Sequence, residues 1–261
     1  EPNTTLEGVY NLPKGHFLTW DHQQQHFTIG KFADNYPPEQ EATTLQAQSL
    51  TKTKLDQAVK RHLIADAPIG VFLSGGIDSS LLSLIANEQT PQTVNTVSIN
   101  FNEHEFSEQQ YQKIIAEQIS SKHISYTVTS HDFETNMEQI FADMDQPSND
   151  GVNSWFVNKV AQENGLKAVL SGIGADELFG GYPSFKRHQL IRKLKKAPRF
   201  LLKGAKYLPS DKLKRISFLA YKNPIGEYLF LRGFYTPNVV GKLLQVPENK
   251  IEELLASYPL G

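Results

Sequence analysis

The sequence predicts an α/β fold: a parallel, doubly wound sheet with helices on both faces and a helical C-terminal extension. Short apolar runs alternate with segments of helical spacing up to about residue 179, as in strands connected by right-handed crossover helices. Serine-glycine turns follow two of these runs. After Tyr182 the strand pattern stops and only helical spacing continues.

The N-terminal region reads as two strand-like runs, TLEGVYNL and HFLTWDHQQQHFTIG, joined by a turn at Pro13 to Gly15. A polar, proline-bearing linker, ADNYPPEQEATT, follows them. Apolar residues at helical spacing predict a helix from Thr44. We therefore expect a hairpin, a linker and a helix before the sheet begins.

Four strands and their crossover helices are predicted next. The run from Ile69 to Leu73 is wholly apolar, as in a strand covered on both faces. A capping box at Ser107 and Gln110 predicts the start of one helix. The other predicted strands are TVNTVSINF, HISYTVT and KAVL, and the other predicted helices cover 78–88, 131–143, 152–163 and a segment starting near Asp176.

The composition excludes several classes of protein. The 261 residues carry 26 Lys and Arg against 28 Asp and Glu, a net charge of −2, which gives no global reason to bind nucleic acid or an acidic membrane. Cysteine is absent, so disulfides and a cysteine nucleophile are excluded within this chain. No signal peptide or membrane-length apolar run is present, and we expect a cytoplasmic protein. Because the sequence begins at Glu1 without methionine, we also expect a fragment of a longer protein.

One segment has a strong local charge. Between Leu178 and Ser210 there are nine Lys or Arg and no acidic residue. This pattern is typical of solvated helix faces over an apolar side. The alternatives are a basic flap over phosphates or a docking surface for RNA.

The stretch VFLSGGIDSSLL, residues 71–82, predicts an anion site. An apolar strand leads through glycines into a helix start, where backbone N–H groups and the helix dipole favour a negative ligand. The spacing matches neither GxxxxGK[ST] nor GxGxxG. Asp78 is an acid within this loop, which makes sense if a divalent cation joins it to phosphates. The alternative is that Asp78 only caps the helix.

A second stretch, VLSGIGADELFGGY at 169–182, repeats the order strand, Ser-Gly, glycine, acid. In a doubly wound sheet whose fourth strand lies beside the first, the loops after Leu73 and Leu170 flank the switch point where ligands bind. Asp78 and Asp176 would then meet as paired carboxylates, which favours a magnesium ion between them. The alternative is a glycine-rich turn with a helix-capping aspartate.

These residues resemble a known family. SGGIDSS resembles the SGGxDS signature of the PP-loop ATP pyrophosphatases, and its pairing with SGIGADELFGGY resembles the synthetase domain of glutamine-hydrolysing asparagine synthetases. The likeness is strong over roughly 55–190, and LEGVYNLPKGHFLTWD resembles the last hairpin of that family's glutaminase domain. It implies three regions: a glutaminase remnant at 1–35, a PP-loop core at 36–190 and an incomplete helical, basic segment at 191–261.

The resemblance also implies a chemistry. A substrate carboxylate, by default that of aspartate, attacks the α-phosphorus of ATP, pyrophosphate leaves, and ammonia from glutamine converts the acyl-adenylate into an amide and AMP. Asp78 and Asp176 are the implied catalytic residues and magnesium ligands. The implied nucleotide-binding residues are Leu73, Ser74, Gly75, Gly76, Asp78, Ser79, Ile99, Ser171 and Gly172.

The sequence departs from the family pattern in three ways. It lacks the glutaminase cysteine, it has Ile173 where many asparagine synthetases have glutamate, and the family's later helical part is mostly missing. Isoleucine cannot move a proton, so another residue does so or the substrate differs. A relative amidating another carboxylate or closing a ring, or an RNA-modifying adenylating enzyme, remains an alternative. Asp145, Asp150 and Asn153 are further candidates for contact with the substrate.

Overall fold

The computed structural model describes residues 4–32, 42–102, 108–146, 148 and 150–258. These residues form two compact units. The sheet unit contains residues 14–173 with 5–7, and the helical unit contains residues 174–258 with 4 and 8–13. The predicted linker lies mostly, and the capping-box residue Ser107 wholly, outside the described residues.

The sheet unit is an α/β structure, as the sequence predicts. Its four-stranded sheet consists of β3 (Ile69–Phe72), β4 (Asn95–Phe101), β5 (Lys122–Val128) and β6 (Ala168–Leu170), all parallel and in the order β5-β4-β3-β6. Its helices are α1 (Thr44–His62), α2 (Ile77–Gln89), α3 (Gln109–Gln118), α4 (Ser130–Asp143) and α5 (Gly151–Glu163). The first and fourth strands of the parallel sheet, β3 and β6, are neighbours, which confirms the predicted switch point.

Helices cover both faces of this sheet. Val71 of β3 packs with Val59 of α1, and Val97 of β4 packs with Val160 of α5. Val71 pairs with Thr96, so Val71 and Val97 lie on opposite faces because side chains alternate along a strand. The double covering explains why the run Ile69–Phe72 is apolar throughout.

The N-terminal hairpin differs from the prediction. Its strands are β1 (His16–Asp21) and β2 (His26–Lys31), antiparallel, and both come from the second of the two predicted runs. A turn does occur at Lys14 and Gly15, as predicted, but the first predicted run is not a strand, so this turn precedes the hairpin and does not connect its strands. The Asp21 carboxylate accepts hydrogen bonds from the Gln23 and Gln24 amides at 2.8 and 3.1 Å, and such local bonds favour a turn there.

From residue 175 to residue 258, the part of the helical unit that the structure describes contains only helices and 3₁₀ turns, as predicted for the stretch after Tyr182. They are α6 (Ala175–Phe179), α7 (Pro183–Leu194), α8 (Arg199–Gly204), α9 (Asp211–Lys214), α10 (Ile225–Arg232), α11 (Pro237–Leu244) and α12 (Glu248–Ser257), with 3₁₀ turns at Ala205–Tyr207 and Arg215–Ala220. Ile191, Leu202, Leu219 and Phe230 form their shared core. Within the described parts of both units, no helix is both long and apolar enough to cross a membrane.

Candidate functional site

The loop Ser74–Gly76 connects β3 to α2 through a tight path. The Leu73 amide still donates to the Val97 carbonyl at 2.9 Å, so the strand pairing holds the chain up to the loop. Gly75 has φ +93°, a conformation that other residues rarely adopt. A methyl group on its Cα would also lie 2.9 Å from the Glu108 carbonyl oxygen. Both observations explain why a glycine occupies this position.

The carbonyl groups around this loop are engaged by protein donors. Leu73 O accepts from Ser98 Oγ, Ser74 O accepts from Gln112 Nε2 at 3.1 Å, and Gly76 O accepts from Ser79 Oγ at 3.1 Å and from the Ser80 amide at 3.0 Å. Ser79 is buried, and its hydroxyl also lies 3.1 Å from the Ser74 amide. The carbonyls of Leu73, Ser74 and Gly76 are thus engaged inside the protein.

The amides of the loop are engaged only in part: the Ser74 amide donates to Ser79 Oγ at 3.1 Å and the Gly76 amide donates to Ser74 Oγ at 3.2 Å. The amides of Gly75, Ile77 and Asp78 have no acceptor among the described residues, and Gly76, the N-cap of α2, supplies no side-chain cap. A helix of 13 residues adds the positive end of its dipole at the same point. Free N–H groups together with the dipole make this loop suited to an anion such as a phosphate.

Asp78 lies in the first turn of α2 and does not cap it. Gly76 is the N-cap residue, and no side chain caps this helix, so the alternative interpretation of Asp78 as a cap is wrong. Its carboxylate is exposed and has no hydrogen-bond or ion-pair partner among the described residues. An unengaged carboxylate beside free N–H donors can take a cation ligand that is shared with a phosphate.

The second serine-glycine loop lies beside the first. A methyl group on Gly172 would be 3.3 Å from Asp78 Cβ and 3.3 Å from the Ser79 amide nitrogen. Ser171 Oγ accepts from the Ile173 amide at 3.3 Å, which shapes the turn. The topology thus places Ser171 and Gly172 at the start of α2, as expected for two loops that flank a switch point.

A cavity of about 360 Å³ opens at the carboxyl ends of β3 and β4. Its apolar floor includes Leu73, which is fully buried, and Ile99, both predicted as nucleotide contacts. Among the described residues the lining is formed by Phe72, Leu73, Ser74, Val97, Ser98, Ile99, Asn100, Phe101, Glu108, Gln112, Asp150, Asn153, Ser154, Val157, Asn158 and Ile173. An apolar pocket with a few polar groups is typical of small-molecule sites.

The structure distinguishes among the three further residues predicted to contact the substrate, Asp145, Asp150 and Asn153. Asp150 and Asn153 line this cavity and contact each other, with Asn153 Nδ2 donating to Asp150 Oδ1 at 3.1 Å. Asp145 is exposed and does not line the cavity. Ile173 also lines it and is 82% exposed, so this side chain lies mostly in open space at the edge of the cavity.

Several residues that line this cavity were not predicted from the sequence, and Gln112 is the most informative of them. The buried side of α3 is formed by Gln112, Ala116 and Ile119, a spacing of four and three residues. Gln112 is only 2% exposed. A glutamine in an otherwise apolar stripe was the available signal that its side chain has a specific partner.

The helical unit holds the rest of the second signature. Asp176 lies in the first turn of α6 and is half-buried, and its carboxylate has no hydrogen-bond partner among the described residues. Its Oδ1 occupies the place where a side chain on Gly181 would start, so a larger residue there would displace the Asp176 carboxylate. Tyr182 donates to Glu177 at 2.9 Å, which raises the pKa of the phenol, and Arg232 lies 4.5 Å from the centre of its ring.

The basic segment of the helical unit packs as an amphipathic surface. Ile191 and Leu202 are buried in the core of this unit. Arg199 donates to the Ala220 carbonyl, Lys195 pairs with Glu227, and Lys206 pairs with Glu252 at 3.5 Å. This packing supports the interpretation as a solvated helix face over apolar residues.

Comparison with known proteins places the chain in a family. The family model described as Asparagine synthase matches residues 50–229, well over half of the chain. The chain belongs to the asparagine synthase family. This assignment agrees with the pair of signatures at 74–80 and 171–182.

The curated relatives of the asparagine synthase family are moderately similar to this chain. A putative glutamine-hydrolysing asparagine synthetase of Mycobacterium bovis is 32% identical over 206 residues, which cover 76% of this chain and 31% of that protein. Asparagine synthetase 1 of Bacillus subtilis is 34% identical over 148 residues, 56% of this chain and 23% of that protein. The chain thus spans a third or less of the length of these two relatives.

A solved structure of NMN synthetase from Francisella tularensis covers 82% of this chain, and the match covers 87% of that protein. The identity is 14% and the TM-score is 0.37. A TM-score at this level supports no conclusion about the present chain.

Within the described residues, no group of three or more histidine or acidic side chains forms a ready metal cage. The only carboxylates with the predicted metal role, Asp78 and Asp176, belong to different units. Their joint role therefore stays a prediction from the two signatures.

Proposed function

We propose that this chain carries the ATP-binding and adenylating part of an enzyme that forms amides from carboxylates. The observation that carries the proposal is the turn from β3 into α2, where the amides of Gly75, Ile77 and Asp78 have no acceptor among the described residues and the Asp78 carboxylate belongs to a family signature. Such a loop favours the pyrophosphate end of ATP over a neutral ligand.

In this proposal the sheet unit performs three tasks. The amides of Gly75, Ile77 and Asp78, with the Ser74 and Ser79 hydroxyls, hold the β- and γ-phosphates and stabilise the charge that develops on pyrophosphate as it leaves. Leu73 and Ile99 hold the adenosine in the 360 Å³ cavity that they line. Ser171 and Gly172, which are outside that lining, contact the nucleotide from the neighbouring loop. The nucleotide is thereby oriented for attack on its α-phosphorus.

Magnesium fits the donors that the proposal gives it. Mg²⁺ in nucleotide enzymes is usually bound by one or two carboxylates together with substrate phosphates. Asp78 offers a free, exposed carboxylate next to the phosphate-binding amides, and Asp176 offers a second one in the other signature. When bound, the ion neutralises negative charge on the phosphates.

The acceptor of the adenylate is proposed to be a small carboxylate, by default that of aspartate. Ammonia would come from glutamine hydrolysed by a glutaminase domain, of which residues 1–35 would be the last part, with the core at 36–190 and a helical segment at 191–261. Because Ile173 cannot move a proton, Asp150 and Glu108, which line the same cavity, are the carboxylates that can replace a glutamate there. A carboxylate other than aspartate is the alternative acceptor.

The proposal is tested by ATP–pyrophosphate exchange in the full-length protein with a panel of carboxylates that includes aspartate. At least one carboxylate should support exchange, and Asp78→Asn should reduce the rate by at least about a hundredfold, the scale on which loss of a charge-stabilising group acts. Since Asp78 is exposed and without a partner, the same variant should unfold within about 0.5 kcal/mol of wild type.

Asp66→Asn is the matched control, because Asp66 is an exposed aspartate of the same unit outside the cavity lining. It should retain the wild-type exchange rate. If no carboxylate supports exchange in wild type, or if Asp78→Asn exchanges as fast as wild type, the adenylation proposal is wrong.

A further inference from the structure

The carboxamide of Gln112 is buried directly behind the phosphate-binding loop. Gln112 is 2% exposed, and its Nε2 donates to the Ser74 carbonyl at 3.1 Å. Its Oε1 is buried without a hydrogen-bond partner among the described residues. Burying an amide oxygen without a hydrogen bond costs free energy. A glutamine at this position is therefore expected to have a specific role.

The direction of that hydrogen bond matters for the loop. In a planar trans peptide the carbonyl and the N–H point in opposite directions. Since the Ser74 carbonyl points towards buried Gln112, the Gly75 N–H points away from it, and this amide has no acceptor among the described residues. One side-chain donor therefore determines the direction of a main-chain donor.

Glycine makes this peptide easy to turn over. A rotation of the Ser74–Gly75 peptide requires compensating changes in Ser74 ψ and Gly75 φ, and glycine accepts both signs of φ at little cost. The rotated peptide would direct a carbonyl oxygen towards a bound phosphate and remove one N–H donor. No described donor other than Gln112 bonds the Ser74 carbonyl.

We propose that Gln112 is a positioning residue for pyrophosphate: its side-chain amide holds the Ser74–Gly75 peptide so that the Gly75 N–H faces the anion. The packing of α3 supports this role, because a methyl group on Gly75 would lie 3.3 Å from Gln112 Cγ and 2.9 Å from the Glu108 carbonyl. The inference rests on the proposed function, and it adds a residue outside both signature loops.

The test replaces Gln112 by methionine, which is unbranched and fills a similar volume but cannot donate a hydrogen bond. Binding of pyrophosphate with magnesium, and of AMP, is measured by calorimetry on the folded chain. Gln112→Met should weaken pyrophosphate binding about tenfold, the scale of one hydrogen bond, and leave AMP binding unchanged. A merely structural role would not separate the two ligands.

Gln118→Met is the matched control, since Gln118 is an exposed glutamine at the other end of α3. It should bind both ligands as wild type does. A Gln112→Met variant with wild-type pyrophosphate affinity, or with both affinities reduced equally, contradicts the positioning role and leaves the proposed function standing. Failure of wild type to bind either ATP or pyrophosphate instead contradicts the proposed function.

A second measurement needs no substitution. In an amide NMR spectrum of the wild-type chain, pyrophosphate should shift the Gly75 amide resonance, and the Gln112 side-chain amide protons should exchange slowly with solvent because they are buried. A Gly75 resonance that stays in place at saturating pyrophosphate contradicts the proposal even where Gln112→Met does not fold.

Discussion

Two constraints, backbone conformation and steric contact, favour glycine at position 75. Their effects on stability can be separated by comparing alanine substitutions at two glycines. The φ of Gly75, +93°, disfavours any side chain, and a Cβ there would also meet the Glu108 carbonyl oxygen at 2.9 Å. Gly165, between α5 and β6, has φ +78° but open space around the same position. The two glycines therefore share backbone strain and differ in steric contact.

Gly75→Ala should lower the free energy of unfolding more than Gly165→Ala does. We expect about 1 kcal/mol for the strain at Gly165 and about 2–3 kcal/mol at Gly75, where a backbone group must also move. Urea unfolding of both variants measures the difference. Equal losses would mean that the loop can shift away from Glu108 without cost.

At the residue scale the sequence predicted the loop and its acid but not the support behind them. Ser74, Gly75 and Asp78 belong to one short local pattern, so their proximity follows from the chain itself. Gln112 reaches the loop from 38 residues further along the sequence. Its role depends on how α3 packs, which no local pattern contains.

The end of α3 provides a test at the scale of a single element. Ser120, exposed and just beyond the helix, has φ +49°, and its amide donates to the Glu117 carbonyl at 3.2 Å. Helices commonly end with a left-handed residue at this position, most often glycine. Ser120→Gly should therefore stabilise the protein by up to about 1 kcal/mol in urea unfolding.

Ser130→Gly is the control with the opposite sign. Ser130 is also exposed but occupies the first position of α4, between Thr129 and Asp132, which form the capping box. A glycine within a helix costs about 0.5–1 kcal/mol. A gain at Ser130, or a loss at Ser120, would contradict the assignment of the two helix ends.

The stability of the protein should depend on pH because of His123, a residue of β5 whose side chain contacts β4. Its Nδ1 lies 2.9 Å from Thr96 Oγ1, which is completely buried, and burial lowers the pKa of His123 from its ordinary value of 6.5. The unfolded chain therefore binds this proton more readily than the folded chain. Stability should be fully present above about pH 6.5 and fall as the pH drops below that value.

Urea unfolding at pH 7.5 and 5.5 checks this expectation. Wild type should lose more stability at the lower pH than His123→Gln, which keeps a polar side chain there but has no titrating ring. His131→Gln, at an exposed position of α4, should behave as wild type. The same pH dependence in His123→Gln as in wild type would show that other groups cause it.

At the scale of the whole molecule the order of the elements was predictable, and the hairpin connection was not. The alternation of apolar runs with helical spacing, together with the preference for right-handed crossovers, leads to the order β5-β4-β3-β6. The hairpin turn was predicted wrongly because Pro13 to Gly15 is the stronger composition signal. The actual turn depends on hydrogen bonds of the Asp21 side chain and on Gln25 at φ +51°.

The sequence likewise predicted the two loops of the candidate site but not the cavity beside them. Two loops at the switch point follow from topology, and Gly172 does lie against the start of α2. The lining of the cavity could not be predicted without knowing how α5 packs, because Asn153, Ser154 and Asn158 line the cavity from one face of that helix. Which helix face covers a sheet depends on tertiary packing rather than on local pattern.

The central claim, that the loop after β3 holds the pyrophosphate end of ATP together with a cation at Asp78, is tested most directly by calorimetric titration. ATP is titrated into wild type and Asp78→Asn, each with magnesium and with EDTA. We expect saturable binding to wild type that weakens when magnesium is removed, and much weaker binding to Asp78→Asn with magnesium present. Binding of ATP that neither EDTA nor Asp78→Asn alters, or no binding to wild type, would contradict it.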